Sequence, residues 1–225
     1  MHIRHRHHID PRDFYDEISK GGSSANEMTR TLLMQTLSQQ NEATPLLQHH
    51  PLGFFCIRWD LEKLRTIRIH IWNRQFNWTQ KPNWSIHDHI FSFKSAVLYG
   101  LLQNKTYTAN WNKKNGRNWT AYQVLYSGQK STMIPLLESV ELRVSTLNCQ
   151  AAGSIYELPA GTFHRSTLRS QSAITVLATQ ADPTTNSSPR VIGTNNCTLL
   201  HFNRQQNLDE TTKKIIRDAI AWLDL

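Results

Sequence analysis

The chain has 225 residues, 39% of them hydrophobic and 9% aromatic, which is enough apolar side chain to fill one domain core with extensions. No apolar run approaches the roughly 18 residues that a membrane-spanning helix requires, and "MHIRHRHHIDPRDFYDEISK" carries positive charge with no apolar stretch behind it, so a cytoplasmic protein is expected. The formal charge of +8 is dispersed over an N-terminal basic cluster, the "NKKNGR" loop at 112–117 and Lys213 with Lys214; with no helix-turn-helix or RNP pattern, nucleic acid is not an expected partner.

Residues 11–48 read as helical. Asp10 is placed to cap a first helix and Pro11 to occupy its first position, where a missing N–H costs nothing. In "ANEMTRTLLMQTLSQQ", Met28, Leu32 and Thr36, or Leu33 and Leu37, recur at helical intervals, and the "GGSS" at 21–24 separates the two helices. The "HIRHRHH" segment before them is read as tag-like, able to bind metal adventitiously, and His49 and His50 as loop residues without a chemical role.

From Pro51 the pattern changes to short runs rich in β-branched and aromatic residues: "LGFFCIRWD", "RTIRIHIWN", "KSAVLYG", "KTYTANW", "AYQVLYS", "VELRVSTL", "GSIYELP", "SAITVLATQ" and "CTLLHFN". Their turn-residue spacing predicts an antiparallel barrel or sandwich of about nine to eleven strands. At the end, "LDETTKKIIRDAIAWLDL" puts Ile215, Ala219 and Trp222 beside Ile216, Ile220 and Leu223 on one helical stripe. The expected organisation is a helical extension at 1–50, a β-barrel at 51–205 and a helix at 206–225 packed on it. Cys56, Cys149 and Cys197 form an odd set without C-x-x-C spacing, which predicts buried thiols rather than a disulfide framework or a thiolate metal site.

"WSIHDHIFSF", residues 84–93, places two histidines one residue apart. In an extended strand His87 and His89 project to the same side, with Cα atoms roughly 6.5–7 Å apart, while Asp88 points the other way. Two such imidazoles can meet one metal ion, or they can be a surface or hydrogen-bonded pair. A second stretch, "GSIYELPAGTFH", ends a strand at Pro159, turns through Gly161 and starts the next strand with His164 three residues later.

This Gly-x5-Pro-x-Gly-x2-His pattern resembles the second cupin motif, and "HDHIFSFKSAVLYG" resembles the first; the second pattern alone arises by chance in roughly one chain of this length in a thousand. The resemblance covers about residues 52–180. It implies a mainly β, cupin-type double-stranded β-helix (jelly-roll) barrel whose mouth holds a metal ion on His87, His89 and His164. Where the family carries a glutamate ligand this chain has Phe93, and strand alternation puts Phe91, Phe93, Ser95, Val97 and Tyr99 on the inward face with the histidines. Three imidazoles suit iron, zinc, nickel, manganese or copper, so ligand type alone does not choose among Fe2+, Zn2+, Ni2+, Mn2+ and Cu2+.

"SIHDH" and the later "HRS" are also similar to the cysteine and thiol dioxygenases, a cupin branch in which three histidines bind ferrous iron without the glutamate and a helical segment precedes the barrel. That likeness implies Arg58, in "FFCIRWD", as the group holding a substrate carboxylate; Lys94 stands near the place of the branch's cross-linking cysteine. His70, sharing a face with Arg68 and Trp72, is a candidate acid-base group, and Tyr99 a candidate pocket residue. The resemblance implies a non-haem iron dioxygenase or oxygenase, monomeric or homodimeric, acting with dioxygen on a small polar metabolite. A metal-dependent isomerase or hydrolase and a non-catalytic ligand-binding cupin are the alternatives.

Overall fold

The computed structural model describes residues 8–39, 44–79, 81–111, 119–128, 130–182, 188–194, 199–203 and 208–225. The "HIRHRHH" segment, the 112–117 loop and Cys197 lie outside the described residues. Helix α1 (Pro11–Lys20) starts as its sequence dictates: the Asp10 carboxylate accepts from the Arg12 backbone N–H at 2.8 Å, and Pro11 is the first helical residue. Helix α2 (Ala25–Ser38) stops at Gln39, which takes a left-handed conformation.

The helical reading overran from there. Pro45 disfavours helix at the residue before it, and Leu46–His50 form strand β1, which pairs with β2 (Phe54–Asp60) from Leu46 opposite Arg58 to His50 opposite Phe54. The remaining elements are β3 (Arg65–Asn73), β4 (Ile86–His87), β5 (Phe91–Tyr99), β6 (Leu101–Trp111), β7 (Trp119–Ser127), β8 (Lys130–Ala151), β9 (Ile155–Leu158), β10 (Phe163–Leu168), β11 (Ser172–Ala181), β12 (Arg190–Gly193), β13 (Leu200–Asn203) and α3 (Glu210–Leu223). Thirteen strands are described where nine to eleven were expected. The additions are β1, the four-residue β12, and β4 as a piece distinct from β5.

The strands form two antiparallel sheets in a jelly-roll, a mainly β architecture. One sheet runs β1-β2-β3-β11-β5-β9 and the other β13-β8-β6-β10-β4-β12-β7. The long β8 also pairs with β7, so that in the second sheet β8, β6, β10, β4, β12 and β7 close into a ring of ladders.

Period-two alternation sorts the first sheet into two faces. Ile57, Ile67, Ile69, Ile71 and Val176 are fully buried on the outer face against Phe14, Ile18, Leu32, Leu33, Ile216 and Ala219 of the three helices. Burying one such aliphatic side chain contributes about 1.5–3 kcal/mol, so this layer is the main source of stability and explains why the helices flank the barrel. The opposite face of β2 and β3 carries Phe54, Cys56, Arg58, Arg68, His70 and Trp72 and looks into the space between the sheets.

Two expectations fail here. The inward row on β5 does not extend to Tyr99, because a register shift against β11 moves the pairing from Val97–Thr175 to Tyr99–Ile174. The extra residue turns Tyr99 to the helical side, where it stacks on Trp222 of α3 at 5.9 Å. Cys149 is exposed on β8 because it faces away from the barrel, whereas Cys56 is buried as expected. Among the described residues no helix is long and apolar enough to cross a membrane.

Candidate metal centre

His87 on β4 and His164 on β10 lie directly opposite one another in an antiparallel ladder. His89 follows two residues later, and its carbonyl accepts from the Gly161 N–H at 2.8 Å. Gly161 adopts φ 74°, a conformation glycine takes without the strain a side chain would cause. The turn that launches β10 is therefore hydrogen-bonded to the backbone of the His-x-His segment. The ring centres are 4.4 Å apart for His87 and His164, 4.8 Å for His87 and His89, and 5.0 Å for His89 and His164. One nitrogen from each ring lies within 4.8 Å of the other two.

The tautomers follow from the backbone. His87 Nδ1 is 3.0 Å from the Ser85 carbonyl and His164 Nδ1 is 3.1 Å from the Thr162 carbonyl. A carbonyl oxygen only accepts, so both Nδ1 atoms carry the proton and both Nε2 lone pairs are left for the interior, the arrangement that orients metal-binding histidines. Burial, reinforced by the neighbouring imidazoles, pushes the pKa of His164 down to about 3 and that of His89 well below its ordinary value; burial also lowers that of His87. Three neutral, unprotonated donors result, with little proton competition for an ion.

Asp88, between the two histidines, points the other way and is 3% exposed. Its carboxylate accepts from the Arg190 backbone N–H at 2.5 Å and from Arg190 Nε at 2.7 Å, while the Arg190 guanidinium lies over the rings of Phe163 and Trp111. This clamp fixes the strand from behind. Phe93 stands 5.8 Å from His89 and 5.9 Å from His164, and Phe91 stacks on His89 at 4.6 Å, so rings occupy the space where a carboxylate ligand would otherwise stand. The donor set, three imidazoles with no carboxylate, fits a divalent first-row metal ion with open coordination positions.

The cluster opens into a cavity of about 600 Å³ between the sheets. His70 lines it, 9% exposed and packed on Phe54 at 4.5 Å; burial, with lesser contributions from Arg68 and His87, drives its pKa to about 3. Arg58 also lines the cavity, with its guanidinium held by Asp60 at 2.6 and 2.7 Å. Tyr99 does not reach it.

Three cavity residues went unassigned in the sequence. Arg68 belongs to the same period-two row as His70 and Trp72, a signal that was visible. His50 reaches the wall because β1 is a strand; its Nδ1 accepts from the Leu52 N–H at 3.2 Å and its ring stacks on Phe54 at 4.1 Å. Tyr156, from β9, stands edge-on to Phe93 at 6.1 Å with its hydroxyl toward Ser95 and Asn104, and burial raises its pKa.

No protein-family model matches the chain, and no curated protein does. Among solved structures it is similar to Drosophila melanogaster CENP-C bound to CAL1, at 12% identity over 70% of this chain and 100% of that one, with a TM-score of 0.34. It is also similar to the DMSP lyases RdDddP and RnDddQII, at 9% identity over 83% of this chain and 80% of that one, with a TM-score of 0.36. A third likeness is to CapF with the inhibitor 3-isopropenyl-tropolone, at 11% identity and a TM-score of 0.30; it covers 76% of this chain and 42% of the CapF chain. Likenesses this distant assign no activity. The chain's own topology and side chains give a two-sheet jelly-roll with a three-histidine cluster that could hold a metal ion.

Proposed function

We propose that the chain is a mononuclear metal-dependent oxygenase, with a donor set like that of the three-histidine thiol dioxygenases, acting on a small polar metabolite that bears a carboxylate or thiol. The observation that supports this most directly is the convergence of three neutral imidazoles, without a carboxylate, on the wall of the cavity between the sheets. Ferrous iron held by His87, His89 and His164 would supply the redox chemistry that lets dioxygen react with a closed-shell substrate.

The chain's own residues do the rest. The Ser85 and Thr162 carbonyls hold two of the imidazoles in the donating tautomer. Phe91 and Phe93 exclude water and lower the local dielectric, which strengthens the pull of the site on an anion. His70, kept neutral by burial, can donate a hydrogen bond from one ring nitrogen and accept one at the other. Arg58 stands on the cavity wall as a candidate group for a substrate carboxylate, with Asp60 competing for it. The free thiols of Cys56 and Cys149 suit a reducing compartment such as the cytoplasm.

A second reading is favoured by the same donor set, since three imidazoles also suit zinc: a hydrolase or isomerase in which the protein positions a carbonyl rather than dioxygen. Protein lacking residues 1–8, purified without oxygen and assayed for metal and then for oxygen uptake with a panel of thiols and carboxylic acids, separates the two. One equivalent of iron with substrate-dependent oxygen uptake is expected. Turnover that persists with zinc under anaerobic conditions would favour the second reading, and failure to retain any of iron, zinc, copper, nickel or manganese would refute both.

A further inference from the structure

We infer that the outer edge of β8, from Glu141 to Ala151, is an interface at which two copies of this chain pair antiparallel about a two-fold axis, joining their second sheets into one. This goes beyond the metal reading, and neither depends on the other.

The ladders leave this edge open. Val140 is the last residue of β8 with a strand neighbour on each side, Trp111 of β6 and Trp119 of β7. From Glu141 to Ala151 the strand pairs with β6 alone among the described residues, so its other side presents a row of backbone N–H and C=O groups without a ladder partner. Residues 143–149 are exposed whichever face they point to, with Val144 58% and Leu147 53% accessible, as large as any apolar exposure within the sheets. Edges that stay single are blunted by lysine, proline or a well-placed charge. The stretch "VSTLNCQA" at 144–151 has none of these, in a chain with a formal charge of +8.

The residue pattern identifies the occupant. Ser145 is an extra residue in β8, because Thr106 stands opposite Thr146 and Tyr107 opposite Val144. That bulge reverses the alternation, so Leu142, Val144, Leu147 and Cys149 share the outward face while Glu141, Arg143, Asn148 and Gln150 share the other. Leaving the bulge in either direction, the side chains run apolar, polar, apolar, polar: Val144, Arg143, Leu142, Glu141 one way and Leu147, Asn148, Cys149, Gln150 the other. A strand with that symmetry is complementary to itself when turned round, which is what a two-fold interface requires. With 145–146 of the two copies opposite each other, Val144 meets Leu147 and Leu142 meets Cys149, each twice, on the outward face. On the other face the amides of Asn148 and Gln150 meet Arg143 and Glu141. The two copies of Arg143 sit four positions apart, about 13 Å along the strands and beyond a Debye length of about 8–10 Å, so like charges do not oppose the pairing. An unrelated extended peptide would demand no such symmetry of the edge.

Sedimentation of the full chain tests this, with a chelator present so that the histidine-rich N-terminus cannot bridge copies through metal. Wild type at roughly 100 μM should have twice the 26.1 kDa chain mass and dissociate on dilution. Val144→Lys and Leu147→Lys replace side chains that are exposed in the single chain, so circular dichroism should be unchanged while each raises the dissociation constant about tenfold or more. Leu125→Lys, at an exposed leucine of β7, should leave the mass unchanged. Leu142→Cys should place a thiol opposite the partner's Cys149 and give covalent dimers with oxidised glutathione, lost when Cys149→Ser is added. A monomer at every concentration, or a dimer indifferent to both β8 lysines, overturns the interface. Disulfide-linked dimers that form through Cys149 without Leu142→Cys overturn the stated register.

Discussion

Removing the Asp88 carboxylate is expected to damage both the fold and the metal site, although Asp88 faces away from the histidines. Asp88→Ala would leave the Arg190 guanidinium between Phe163 and Trp111 without its counter-charge and would free the Arg190 backbone N–H. Breaking a buried ion pair by deleting one partner costs about 3–5 kcal/mol. Arg190 keeps a side-chain exposure of 33%, so solvent compensates in part and the lower figure, about 3 kcal/mol, applies. For a chain of this size that corresponds to a melting temperature lower by about 6–12 °C. Loosening the His-x-His segment should also weaken zinc binding about 10–100-fold, the usual effect of losing a residue that orients a ligand. Urea unfolding of metal-free protein and competitive zinc titration measure the two separately. Pairing the change with Arg190→Met should restore part of the stability, because no uncompensated charge is then left buried. A single Asp88→Ala variant within about 1 kcal/mol of wild type, with unchanged zinc affinity, would refute the clamp.

Acid should destabilise the metal-free protein through its buried histidines. The folded-state pKa of His70 is lowered to about 3, so its contribution is fully present above pH 6.5 and is lost as pH falls through 6.5 toward 3. Each such histidine contributes a slope of about 1.4 kcal/mol per pH unit; His70→Phe should flatten the denaturant-derived stability profile by that amount between about pH 6 and pH 4, and an unchanged slope would contradict it. Phe93→Glu should add a fourth ligand beside His89 and His164, tightening zinc binding and weakening azide binding; equal azide affinity in wild type and a folded variant would place residue 93 away from the ion.

The parts of the site that the sequence made legible are those set by local geometry. Alternation along an extended segment is enough to put His87 and His89 on one face and Asp88 on the other, and Pro159 with Gly161 specifies a turn whose chemistry depends on few neighbours. Residues set by long-range register were harder to see. A single extra residue in β5 reverses Tyr99, and no local signal marks it. His50 was misplaced because β1 follows a proline after a helix and becomes a strand only by pairing with β2. Arg58 illustrates a different limit: its place on β2 and the nearness of Asp60, two residues away, are readable in the sequence, but only the folded side chains show that Asp60 occupies the guanidinium.

Because His87 and His164 are opposite partners in one ladder, the distance between these two donors is set by interstrand hydrogen bonding and not by the 76 residues that separate them in the chain. Insertions or deletions in the intervening connections can therefore accumulate without disturbing the donors, as long as the pairing holds. A slip of one residue in that pairing would have the opposite effect, presenting Phe163 or Arg165 where His164 belongs and abolishing the donor set at once. Metal stoichiometry should therefore serve as a gauge of strand alignment during refolding: chains that recover β structure in a shifted register would be counted as folded by circular dichroism and as empty by metal analysis.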